Sequence, residues 1–228
     1  MKKQIVRFVV DRRLDLENHF IALDAYRRHA DAGTFPRNEK NEKSLKMSPA
    51  KRRVAIAKEI DWYYSEKREF LEALADDINR AWAQIEKDFI ARIEKVHRQP
   101  FVFKEIKGVL SSAQRFGYRS GKWFAASMFR NKFAAMDTGM HEMMHFMFHK
   151  YYQGRCGKEG LNNSQIWDVK EAFTVLLNLE FGDLRFEEDF GYPQHRELRA
   201  VIKQSWLAYH DFGVALEAAI HKAKEEKQ

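Results

Sequence analysis

Two histidines four residues apart, with a glutamate directly after the first, are the residues of this chain best arranged to do chemistry: His141-Glu142-Met143-Met144-His145. On a helix, positions i and i+4 share a face, so both imidazoles can close on one metal ion while Glu142 faces a water bound to that ion. Such a water loses its proton near neutrality, and a neighbouring carboxylate can accept it. The implied reaction is metal-assisted hydrolysis, and imidazole combined with carboxylate suits Zn2+ best among the common divalent ions.

The surrounding residues predict the helix this chemistry needs. Asn131 is placed as an N-cap after the strand-like run from Trp123 to Arg130, and Phe133, Met136, Met140, Met143, Met144, Phe146, Met147 and Phe148 then put apolar side chains on nearly every face. A helix of that composition is surrounded by protein, where two histidines and a glutamate cost free energy unless they are hydrogen-bonded, paired or coordinated. The plainer alternative is a pair of satisfied core histidines. His149, four residues further on, has turned well around the helix from His141, which points to a surface role or to a supporting one behind the ligands.

A catalytic zinc takes three protein ligands and keeps one position open. A glycine followed by a third histidine just beyond the pair is one known solution, but positions 148 and 151 hold Phe148 and Tyr151. The other is a glutamate on a following helix. After a loop containing Gly154, Gly157 and Gly160, the segment from Ile166 to Asn178 supplies Glu171, 26 positions beyond His145. That separation allows one helix to finish and a second to return beside it. Asp168, Lys170 and Glu171 lead into an apolar run, as at the start of a helix, where an acidic residue would also be favoured by the helix dipole alone.

With these residues in place the chain resembles the glutamate-type zincins, the gluzincin group of metallopeptidases, and within it a set of small bacterial zincin-like proteins. The resemblance lies in His141 to Phe146, Val169 to Asn178 and Gly191 to Arg199, over roughly residues 100 to 210, and the first block is the specific one. It implies peptide-bond hydrolysis, with His141, His145 and Glu171 holding Zn2+ and Glu142 as general base, acting on a peptide or protein substrate. It also implies a downstream histidine or tyrosine that stabilises the oxyanion. Tyr192 and His195, at the turn Gly191-Tyr192-Pro193 and just after it, are the two candidates. In thermolysin-like members a small hydroxyl residue and then an aspartate follow the ligand glutamate. Thr174 fits the first, but Val175 stands in place of the second, so the residue orienting a ligand histidine is sought elsewhere, at Asp168.

The scaffold follows from period and punctuation. Pro100 to Phe103, Gly108 to Ser111 and Gly121 to Phe129 read as short strands, the last as an edge that pairs with extended substrate in zincins. Ser65 to Val96 carries the helical stripe of a backing helix, from Phe70 and Leu71 through Trp82 and Phe89 to Ile93. The fold expected is α+β, mostly helical and zincin-like, with a small sheet, an HExxH helix and a Glu-bearing second helix.

The first 60 residues differ in charge, holding 15 Lys and Arg against 8 Asp and Glu, an excess equal to the +7 of the whole chain. They read as a basic N-terminal region, with a strand-like start at Ile5 to Val10, a helix around Leu14 to His29 and a flexible connector from Asp31 to Arg53, ahead of a metallopeptidase domain over 61–228. A basic region can contact nucleic acid, and a noncatalytic zincin-like binding protein that touches nucleic acid or a protein partner is the alternative function, although a charged run is more often a solvated surface. An apolar content of 45% suffices for a substantial core. No apolar run is long enough for a membrane span, and the one after Met1-Lys2-Lys3 is cut short by Asp11-Arg12-Arg13. With a single cysteine, Cys156, a cytoplasmic location is expected.

Overall fold

The computed structural model describes residues 4–31, 39–113 and 117–225. Along the chain these form β1 (Val6–Val9), α1 (Arg12–Asp31), α2 (Glu39–Lys46), α3 (Pro49–Glu66), α4 (Arg68–His97), β2 (Ile106–Ser111), β3 (Tyr118–Arg119), β4 (Trp123–Ser127) and α5 (Lys132–Tyr151). Then come α6 (Gln153–Lys158), α7 (Asn163–Ala172), α8 (Val175–Glu180), a 3-10 turn at Pro193–His195, α9 (Arg196–Tyr209) and α10 (Phe212–Glu225). The fold is α+β: mostly helical, with one small mixed sheet among the described residues. None of the described helices is long and apolar enough to cross a membrane.

Packing divides the chain into two compact units, the first made of Met1–Ala81 and Glu105–Ala135. It holds the sheet, in the order β1-β2-β4-β3. β1, β2 and β4 are parallel, with Phe8 opposite Gly108 and Gly108 opposite Phe124, and β3 runs antiparallel to β4. The segment expected as a first strand, Pro100 to Phe103, is not one; β1 from the N-terminal region pairs with β2 instead. β4 is flanked by β2 and β3 and is buried along its whole length, so it is an interior strand and not the free edge expected for substrate. Its unbroken apolar run, Trp123 to Ala126, is the pattern of a strand covered on both faces.

Helix α1 is fixed to the sheet by polar and apolar contacts. Leu14 packs with Val109, Trp123 and Ala125. Asp15, wholly buried, accepts from Ser111 Oγ at 2.5 Å and from the Ser112 amide at 3.2 Å, while Asn18 accepts from the Gly117 amide at 2.7 Å. Further along, Leu16 packs with Ile56 and Ile60 of α3. The expected connector over Asp31 to Arg53 falls partly outside the described residues, and the rest of it is helical. Ser48 caps α3 by accepting from the Lys51 amide, with Pro49 at the first helical position, and Glu39 pairs with Lys43 one turn along α2. High charge density concealed these local helix signals.

The second unit consists of Trp82–Lys104 and Met136–Gln228. Aromatic rings set its helices in place. His97 at the end of α4 stacks on Tyr152, Tyr152 stacks on Phe212 of α10 with centroids 4.3 Å apart, and Phe212 stacks on Phe173 at 4.4 Å. Phe148 of α5 meets Phe173 at 6.0 Å, so α5 and the end of α7 share one aromatic frame. The glycine-bearing loop before α7 contains the short helix α6, and the expected final helix is two, α9 and α10, separated at His210 with φ +45°.

One close approach in the sheet can be tested. A Cβ on Gly108 would lie 2.7 Å from the Phe8 ring and 3.0 Å from Phe124, both fully buried. Gly108→Ala is expected to cost about 1–3 kcal/mol by overpacking. The measurement is a urea titration, where the midpoint should fall with an unchanged slope; a wild-type midpoint would mean that the rings yield without loss.

Candidate metal centre

Asn131 caps α5 as expected, accepting from the Ala134 amide at 3.0 Å. Met140, Met143, Met144, Phe146, Met147 and Phe148 are buried around the helix and fix its rotation. His141 and His145 then lie side by side on one face, ring centroids 4.4 Å apart. Helix α7 begins at an Asn162–Gln165 capping box, in which each side chain bonds the other residue's backbone amide. It brings Glu171 to the histidine pair: Glu171 Oε2 is 3.3 Å from His145 Nε2 and 3.7 Å from His141 Nε2. One donor atom from each of the three lies within 4.8 Å of the others. Two imidazole nitrogens and one carboxylate oxygen form a donor set suited to zinc.

Glu171 stands in the last turn of α7, not in the first turn expected from the charged residues before the apolar run. The helix dipole disfavours a carboxylate there, so its usual explanation as a helix-start acid does not apply. Burial alone would raise the Glu171 carboxyl, but His145, Lys170 and His141 outweigh it and hold the group well below the usual carboxylate range. Glu142 is buried beside the cluster, and its Oε2 has no hydrogen-bond partner among the described residues. Burial pushes its carboxyl up to about 7 against the pull of His141 and Lys170. A buried carboxylate oxygen without a partner is expensive, and such groups concentrate where a ligand or reaction uses them.

The two histidines are set differently. Burial lowers His145 to about 3. Burial also acts to lower His141, but its hydrogen bonds to Asp189 and Glu171 prevail and raise it to about 10. A metal ligand must be a neutral imidazole, so loading the site would expel the His141 proton. The Asp189 carboxylate can only accept, so Nδ1 of His141 donates to its Oδ2, at 2.8 Å, and Nε2 faces the cluster.

Asp189 is the residue that the sequence reading missed. Asp168, the aspartate expected to orient a ligand histidine, instead accepts from His195 Nε2 at 3.0 Å. Asp189 is braced on several sides. Its Oδ1 lies 2.9 Å from Arg199 and 3.0 Å from Thr174 Oγ1, its amide donates to Asn178 Oδ1 at 2.8 Å, and Asn178 and Arg199 both donate to its carbonyl. Thr174 thus occupies the place expected after a ligand glutamate, but its aspartate partner comes from 15 residues further along. Gly191, at φ +63°, lets the loop turn there, and a Cβ on it would strike the Arg199 guanidinium at 2.7 Å. In the sequence, Asp189 is one of three consecutive acids with Glu187 and Glu188, and nothing local distinguishes it.

Tyr192 and His195 belong to a second cluster. Both rings pack against Trp167, at 5.6 Å and 5.1 Å, and His195 is buried on Asp168, one turn before Glu171 on the same helix. His149, half-buried, donates its Nδ1–H to Gln153 Oε1, 2.5 Å away. Compared with known proteins, the chain matches no family model, no curated protein and no solved structure.

The raised Glu142 carboxyl has a sign that can be measured. Its folded value, about 7, lies above its ordinary 4.5. Between those values the folded state keeps a proton that the unfolded state has lost, so stability from this group is complete below 4.5 and erodes as pH rises through 7. Metal-free Glu142→Gln is expected to exceed wild type by on the order of 1–3 kcal/mol above about pH 8, with the gain vanishing below about pH 4.5. Denaturant titrations of metal-free protein across that range check this; a gain independent of pH would refute it.

Proposed function

We propose that this chain is a zinc-dependent metallopeptidase of the gluzincin kind, with a zincin-like arrangement of α5 and α7. The observation that carries the reading is Glu142, a buried carboxylate with an unpartnered oxygen beside two nitrogen donors and one oxygen donor. A structural metal site has no use for such a base. Bound by His141, His145 and Glu171, zinc would supply Lewis acidity toward the scissile carbonyl and an acidified water.

The chain's own groups do the rest. Glu142, with a carboxyl drawn toward neutrality, takes a proton from the attacking water and delivers it to the leaving nitrogen. Asp189 keeps His141 in the tautomer whose Nε2 faces the cluster, and Thr174 and Arg199 hold Asp189 for that task. Tyr192 and His195, in the neighbouring cluster, are the candidate donors to the developing oxyanion, and Tyr192 is favoured because His195 gives its Nε2–H to the Asp168 carboxylate. The substrate class is peptide or protein. A cytoplasmic location fits the single cysteine, which is buried. In the basic N-terminal region Arg12 pairs with Asp61, Arg27 with Asp24 and Lys43 with Glu39, which favours a solvated surface over a nucleic-acid contact.

The test compares metal content and peptide-library cleavage in wild type, Glu142→Ala, Glu171→Ala and Asp189→Asn. Wild type is expected to hold about one zinc per chain. Glu142→Ala should keep the metal and lose about 10²–10⁴-fold in turnover. Asp189→Asn should weaken zinc binding roughly 10–100-fold, and Glu171→Ala more than that. Wild-type protein that neither contains nor takes up zinc would remove the peptidase reading and favour the noncatalytic one, with Lys170 and the two histidines compensating Glu171.

A further inference from the structure

Lys170 is buried to 2% exposure, although a lysine ammonium is among the costliest groups to take out of water. Its Nζ lies 2.6 Å from Glu171 Oε1. Adjacent residues do not face each other on a helix, so this contact requires the lysine arm to bend back around the end of α7. The other oxygen of the same carboxylate, Oε2, is the one turned to His145 and His141. The two oxygens of Glu171 are therefore divided, one to a cation of the chain and one to the imidazole pair.

We propose that Lys170 is a positioning residue that restricts Glu171 to a single ligand oxygen, so that the cluster offers a divalent cation three donor atoms. The inference rests on the zinc reading and adds to it a reason why the site stays open. A carboxylate with both oxygens available binds a cation through one or both. A buried charge-assisted hydrogen bond at this distance commits Oε1 strongly. Were Oε1 released, it could bind the ion as well, adding a further ligand to a shell that otherwise holds three protein donors and one open position. Lys170 is thus distinct from Asp189 in what it fixes: Asp189 aims a ring, and Lys170 sets how many atoms a ligand contributes.

Cobalt(II) substitution tests this without an activity assay, because a four-coordinate cobalt site absorbs visible light several-fold more strongly than a five- or six-coordinate one. Lys170→Met removes the donor at similar length, and Lys170→Gln removes the charge but retains an N–H donor. Expected are a strong cobalt band in wild type, the same band in Lys170→Gln, and a several-fold weaker band in Lys170→Met with cobalt still bound. A Lys170→Met spectrum equal to wild type, in a protein that melts cooperatively, overturns the role of Lys170 and leaves the zinc reading intact. Should Lys170→Met not fold, wild type and Lys170→Gln decide. A weak band in wild type, or one lost in Lys170→Gln, overturns the proposal. Wild type that takes up no cobalt overturns it together with the zinc reading.

Discussion

Glu171 carries its charge at the end of α7, where the helix carbonyls already present negative density, and it does so almost out of reach of water. Each neighbour can be read as an answer to that placement. Lys170 contributes a cation at 2.6 Å and the two imidazoles face the remaining oxygen. Thr174 Oγ1 lies 2.8 Å from the Glu171 carbonyl, which also accepts from the Thr174 amide, so the helix end beside Glu171 is closed. Removing any one partner leaves a buried carboxylate less compensated, which is why the cluster must be complete to be tolerable.

The loop before α9 is tied to the same centre. Glu187 donates its amide to Asp137 Oδ2 at 3.0 Å, and Asp189 accepts from His141, so two residues four apart on α5 are held by two residues two apart in the loop. Arg199 of α9 and Asn178 of α8 then hold Asp189 from behind. The ring of His141 is aimed by contacts that span three helices and a loop within one unit.

What could be read from the sequence follows the range of each interaction. The histidine pair and Glu142 were legible because their geometry is set by helical spacing alone, and Asn131 because a cap acts within one turn. Glu171 is legible as an acid preceding an apolar run, but its place in the last turn of α7 is not, because the helix starts earlier, at the Asn162–Gln165 capping box. Asp189 lies 48 residues from His141, one carboxylate among three in a row, and only the folded chain selects it. Similarly, β1 was legible as a strand, yet its partner, about 100 residues away, was not, since strand pairing leaves no local mark. Lys170 was visible only as a charge; its burial depends on the arm bending back, which spacing does not encode.

The same unit uses buried histidine in two ways. His97 is stacked on Tyr152 and tilted against Phe212, neither ring nitrogen has a hydrogen-bond partner among the described residues, and burial alone holds it down at about 3. There it serves as a flat aromatic spacer in the frame that sets α5 beside α7. His145 is driven to the same value by the same cause, and His141, on the same helix face, goes the opposite way because Asp189 reaches its second nitrogen. Burial therefore cannot be what separates His97 from the histidine pair. The difference lies in the carboxylates: His97 has none, while His141 and His145 share Glu171, and only His141 has Asp189 as well. A histidine pair with two unlike environments, meeting at one carboxylate whose other oxygen is already occupied, is a costly arrangement for stability alone, and that cost is what the proposed cation would offset.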